Sequence, residues 1–99
     1  MKILKDKTAI ITGATRGIGR GIAETFAKQG ANVLFTYSSS SDLAKEIEKE
    51  LSNEGVVVRG YKSDASSFED CQKLVDEITQ EFDIIDILIN NAGITRDNL

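Results

Sequence analysis

The 99 residues are 40% hydrophobic and 28% charged with a formal net charge of −4. That describes one small globular domain, with an expected radius of gyration near ~13 Å, and excludes a disordered, collagenous or multidomain chain. With no histidine in the sequence, histidine acid–base catalysis and histidine metal sites are excluded. Cys71, the single cysteine, can form neither an intrachain disulfide nor a multi-thiolate metal centre, so no metal is expected and the cytoplasm is the expected location.

Met1 to Lys7 is basic, but the apolar run that follows stops at Thr12 and Gly13, so it is not read as a signal peptide. Ile84 to Ile89 is broken by Asp86 and falls far short of the roughly 20 residues a membrane span needs, so no membrane partner is expected. Charge is uneven along the chain. Lys2, Lys5, Lys7, Arg16, Arg20 and Lys28 face only Asp6 and Glu24 in the first third, and acids dominate the rest. An acidic chain is a poor nucleic-acid binder, so no nucleic acid is expected, while the basic first third suits a small anion.

Thr8 to Ile11 is a β-rich apolar run ending in a glycine loop, after which Ile18, Ile22, Ala23 and Phe26 recur at helical spacing until Gly30 stops them. Val33 to Tyr37 predicts a second strand, ended by Ser38 to Ser41. Leu43, Ala44, Ile47 and Leu51 mark one face of a second helix, broken at Asn53 and Gly55. Val56 to Tyr61 predicts a third strand. Ser66 and Glu69 have capping-box spacing ahead of a third helix, along which Phe68, Cys71, Leu74, Val75, Ile78 and Phe82 keep the apolar period. Cys71 is therefore read as a core residue. Ile85 to Ile89 predicts a fourth strand, followed by the polar exit Asn90, Asn91, Ala92 and Gly93. The order βαβαβαβ implies an α/β fold with right-handed crossovers and a parallel sheet covered on both faces.

The loop Thr12-Gly13-Ala14-Thr15-Arg16-Gly17-Ile18-Gly19 stands where the first strand becomes the first helix, with the helix amides aimed at an incoming phosphate. Gly13 permits the tight turn, Gly17 lets a pyrophosphate approach, and Gly19 lets the helix lie close to the strand. The Gly-Lys-Ser/Thr ending of an ATPase loop is missing. Thr36, Tyr37 and Ser38 end the second strand without an acid, where an Asp or Glu would hold the 2′-hydroxyl of NAD. Arg16, with the hydroxyls of Tyr37 and Ser38, favours the extra phosphate of NADP.

Thr12 to Gly19 resembles the cofactor loop of the short-chain dehydrogenase/reductases, and Asn90 to Gly93 resembles that family's strand-four motif. Gly93 to Leu99 is similar to the segment in the family's bacterial 3-oxoacyl-[acyl-carrier-protein] reductases. The resemblance implies an α/β, Rossmann-like doubly wound parallel sheet in strand order 3-2-1-4, NADPH bound across the carboxyl ends of its strands, and reduction of a 3-oxoacyl thioester to its (R)-3-hydroxy form in fatty-acid synthesis. It places Gly13, Ala14, Thr15, Arg16 and Ile18 at the pyrophosphate and adenosine ribose, Ser38 at the 2′-phosphate, Asp64 and Ala65 at the adenine, and Asn91, Ala92 and Gly93 along the cleft. Asp64 has an alternative as a helix-opening residue, and the asparagines as partners of exposed backbone.

The family's catalytic tyrosine is followed four residues on by a lysine. Tyr37 and Tyr61 are followed at that spacing by Ser41 and Ala65, so no catalytic residue is assigned. The expectation is that residues 1–99 form the N-terminal part of a single NAD(P)-binding domain, a truncated portion with four strands and three helices. The parent enzyme is expected to be a homotetramer acting on an acyl-carrier-protein-bound substrate. Two alternatives stay open: a short-chain reductase of another carbonyl compound, and a stand-alone nucleotide-binding module without catalysis.

Overall fold

The computed structural model of the chain describes residues 3–13, 17–39, 41–52, 55–63, 68–82 and 84–89. Seven elements follow in chain order: β1 (Thr8–Ile11), α1 (Gly17–Lys28), β2 (Asn32–Tyr37), α2 (Ser41–Leu51), β3 (Val58–Lys62), α3 (Phe68–Glu81) and β4 (Ile87–Ile89). The strands form one sheet, parallel as the alternation predicts, in the order β3-β2-β1-β4 that the resemblance implies. The chain therefore builds outward from β1 to β3 and then jumps back across β1 to start the other side. The Cα radius of gyration is 12.8 Å.

Alternation along the strands divides the side chains between two faces. On one face Ile11, Val33, Phe35 and Val58 pack with Ala23 and Ala27 of α1 and with Ala44, Ile47 and Leu51 of α2. The small residues Gly19, Ala23 and Ala27 are the buried stripe of α1, which brings that helix close to the sheet. Its end is closed as Gly30 was expected to close it: the Gly30 amide donates to the Ala27 carbonyl and the Ala31 amide to the Phe26 carbonyl, the two bonds of a Schellman motif.

The second face carries Leu34 and, from α3, Ile78, both essentially sealed from solvent. Arg59 ties α3 to this face through an ion pair with Glu81, and its guanidinium stands 5.9 Å from the centroid of the Phe82 ring. Leu88, in register with Ile10, is 67% exposed. Val75, expected on the apolar face of α3, is 51% exposed and Cys71 only half-buried, because among the described residues nothing covers the sheet above β4. The Ser66 half of the expected capping box lies outside the described residues.

The starts of three strands differ from the sequence reading, two of them for a side-chain reason, and β3 also runs one residue further, to Lys62. β3 begins at Val58 rather than Val56: the Val57 amide is taken by the side-chain oxygen of Asn32 at 3.1 Å, so the regular ladder starts one residue on. β4 begins at Ile87 rather than Ile85. Asp86 makes the first rung itself, its amide donating to the Thr8 carbonyl while its carboxylate accepts from the Thr8 amide at 2.9 Å. β2 gains Asn32 at its start, whose amide donates to the Lys7 carbonyl.

Gly60 in β3 is needed for space. A Cβ built there falls 2.7 Å from Cζ and 2.8 Å from Cε2 of Phe35, which is itself fully buried. Replacing Gly60→Ala is expected to destabilise the fold by about 1–3 kcal/mol through overpacking, read as a lower urea midpoint with an unchanged slope. On the other face, the Tyr61 hydroxyl is buried without a hydrogen-bond partner in good geometry. Burial raises its pKa above the ordinary 10.0, with Arg59 opposing. The neutral phenol is thus the folded form, and its contribution is full below pH ~10 and lost as pH climbs through the raised value. Tyr61→Phe is expected to be at least as stable at neutral pH and to lose less stability in alkaline denaturant titrations.

Candidate functional site

The carboxyl ends of all four strands open on the same side of the sheet, because every connection is a crossover. β1 is flanked there by β2, reached through α1, and by β4, reached through α3. Arg59 meets α3, while its neighbour Gly60 points at Phe35 and the α1/α2 core. The helices on the two sides of this crevice therefore lie on opposite faces, and the chain diverges at its mouth. Such a switch point is where open α/β sheets bind ligands.

The residues after β1 are pinned between its two neighbours. The Thr12 amide donates to the Ile89 carbonyl of β4 at 3.0 Å. The Gly13 amide reaches β2, shared between the carbonyl and the hydroxyl oxygen of Thr36, each at 3.1 Å. Thr36 is 94% buried, and this anchoring role was not foreseen from the sequence. A short hydroxyl next to the last residue of the strand was the available signal.

Gly13 and Gly17 have φ of +66° and +58°. Both lie in the left-handed region that side chains with a Cβ rarely enter, so the loop leaves β1 and enters α1 through the two glycines. Around Gly17 a Cβ would meet nothing within 4 Å, and Ile18 beside it is 77% exposed. Gly19 is buried on the inner side of α1, the placement expected of it. The first turn of α1 holds no acidic residue, so no charge within that turn opposes an anion at its amino end.

At the end of β2, Ser38 is exposed and Tyr37 half-buried. The Tyr37 ring packs on the α1/α2 side, its centroid 6.5 Å from that of Phe35. Ala14, Thr15, Arg16, Asp64, Ala65, Asn91, Ala92 and Gly93 lie outside the described residues. The structure thus brings Gly13, Gly17, Ile18 and Gly19 to the crevice and sets Tyr37 and Ser38 at the next strand end. A polar cavity of about 340 Å³ between β3 and α3, lined by Tyr61, Lys62, Lys73 and Glu77 among others, belongs to the outer edge of the sheet and not to this crevice. Among the described residues no group of three potential ligands could hold a metal ion, and no helix is long and apolar enough to cross a membrane.

Comparison with known proteins agrees with this geometry. The chain is 38% identical over 94 residues to the 3-oxoacyl-[acyl-carrier-protein] reductase of Staphylococcus epidermidis. The match takes in 95% of this chain and 38% of that protein, so the chain spans well under half the length of the curated relatives it matches. A short-chain dehydrogenase/reductase of Serratia marcescens has the same fold with a TM-score of 0.86 at 36% identity, over 93% of this chain and 38% of that one. A blue fluorescent protein from a metagenomic library, solved with NADPH, matches at a TM-score of 0.85 and 34% identity, over 92% of this chain and 38% of its own. Residues 7–99 match the short chain dehydrogenase family, and the chain belongs to it.

Proposed function

We propose that this chain is the coenzyme-binding portion of an NADPH-dependent reductase that converts a 3-oxoacyl-carrier-protein thioester to the (R)-3-hydroxyacyl form. The observation that carries the reading is the loop between β1 and α1: two left-handed glycines, open space where a side chain would stand, and a helix amino end free of acids. These features fit a pyrophosphate. The backbone of Gly13, Ala14, Thr15, Gly17 and Ile18 would hold it, and Gly19 would keep the helix close behind. Arg16 and Ser38, with the Tyr37 hydroxyl, would receive the 2′-phosphate, since β2 ends in Thr36-Tyr37 without the acid that selects NAD. Asp64 and Ala65 would meet the adenine, and Asn91, Ala92 and Gly93 would line the cleft beyond β4.

NADPH held there would supply hydride to the carbonyl carbon, and the protein would have to provide a proton donor for its oxygen. The tyrosines of this chain are unsuited to that task. Tyr61 is turned to the α3 face of the outermost strand with its pKa raised, and Tyr37 is engaged with Phe35. The donor would come from a part of the protein beyond these 99 residues, in keeping with the 38% share of the relative's length matched here. The acyl-carrier substrate is favoured by the Staphylococcus relative and by Gly93 to Leu99. A cytoplasmic location follows from that reading.

Two measurements test it. Isothermal titration of the 99-residue chain should show NADPH binding, and Arg16→Ala should weaken NADPH at least ~10-fold more than NADH, as expected for loss of a charge-assisted phosphate contact. Equal losses would remove the 2′-phosphate assignment. NADPH oxidation with an acetoacetyl thioester should be undetectable with this chain alone. Turnover by it would place the proton donor within these residues, and a protein extended in frame that reduces only sugars or steroids would replace the substrate.

A further inference from the structure

β3 is the outermost strand on its side of the sheet, and an outermost strand presents a row of backbone groups on which another strand can build. Which groups point outward follows from the ladder. The Val33 amide donates to the Val57 carbonyl at 2.9 Å, and the Ser63 amide to the Tyr37 carbonyl at 2.9 Å. Residues with the parity of 57 and 63 therefore face β2, and Val58, Gly60 and Lys62 face out. Gly60 is the middle of the three.

Its amide is already engaged. The Gly60 N–H donates to Glu48 Oε2 at 2.9 Å in a part-buried contact that reaches from α2 to the rim of the sheet. Two features of the sequence make this reach possible. Ala44, Ile47 and Leu51 seat α2 on the core, which leaves Glu48, one position past Ile47, half-buried at the side facing β3. Gly60 has no side chain to fend it off, because the Phe35 ring fills the place of its Cβ. The acceptor is a carboxylate, which makes this the stronger class of hydrogen bond. Lys62, exposed at the end of the same strand, adds a charge of the kind that discourages strand addition.

We propose that Glu48 is an edge guard, occupying the outward amide at the centre of β3 so that a second copy of this chain cannot add to the sheet there. The excluded partner is a copy because the outward trio is centred on Gly60. A two-fold axis at that residue would pair the trio with itself as two antiparallel strands, the isologous arrangement that closes on itself. This inference does not depend on the coenzyme reading.

Hydrogen exchange and sedimentation velocity on the 99-residue chain test it. In the wild type the Gly60 amide should exchange ~10-fold or more slowly than an unprotected amide, despite its place on an outer edge. An unprotected rate would overturn the proposal without any variant. In Glu48→Ala, with the far-ultraviolet spectrum retained, Gly60 exchange at high dilution should rise by at least that factor. Self-association should appear over a concentration series in which the wild type is unchanged. Glu48→Gln keeps an acceptor of the same length, so its amide should stay protected and its association match the wild type. The edge of β4 is common to all three chains and contributes equally. Faster exchange in Glu48→Ala without self-association would reduce Glu48 to a tie between α2 and β3. Association of Glu48→Gln equal to that of Glu48→Ala, with the amide still protected, would sink the proposal as well.

Discussion

The hydrogen bonds that hold Thr12 and Gly13 between β2 and β4 are the constraint on which the candidate site depends. A parallel sheet places the end of β1 in the middle of its open side, and the Thr36 hydroxyl and the Ile89 carbonyl fix where the chain leaves it. Once that departure is set, two left-handed glycines are enough to turn the chain into α1 with its amino end over the crevice. The site is thus a property of backbone placed by its neighbours. The side chains of Tyr37 and Ser38 stand at the strand end beside it.

The two faces of the sheet are built differently. Small residues on α1 and the apolar stripe of α2 make a layer in which Phe35 is fully buried, and Gly60 leaves its ring the space that a Cβ would take. The α3 face has Leu34 and Ile78 as its sealed residues and is otherwise joined by polar means, through Arg59 with Glu81 and Phe82. Leu88 and Val75 stay in contact with solvent there.

Most of the architecture is legible from periodicity. Gly30, Leu43, Ile47, the βαβ alternation and the glycine loop each announce their place; handedness sets the face of each crossover, and the strand order comes from the family resemblance. What periodicity cannot show is a side chain acting as backbone. Asn32 and Asp86 complete the first rungs of two ladders, so the strands start later than their β-branched runs suggest. Val75 has the helical period of a core residue but, among the described residues, no layer above it, since a pattern reports what a residue would bury and not whether anything arrives to bury it. At the candidate site the glycines were readable as spacing, whereas Thr36 was passed over because its work is done inward, on an amide a strand away. Glu48 was equally hidden: on the helix it is one acid among several, and only the fold brings it to Gly60.

Arg20 carries a consequence for the charge balance of the first third. Its guanidinium lies among Glu24, Glu46 and Glu50, at 2.9 Å from the last and 3.8 Å from Glu46. Each contact is solvent-accessible and individually weak, yet together they cancel one of the cations that made this stretch look anion-seeking. Its long-range pull on a dinucleotide is accordingly smaller than a tally of lysines and arginines suggests, and more of the attraction falls to aligned peptide dipoles. Those dipoles act at short range and are shielded by bound ligand from surrounding electrolyte, so capture by this crevice should owe more to fit than to steering.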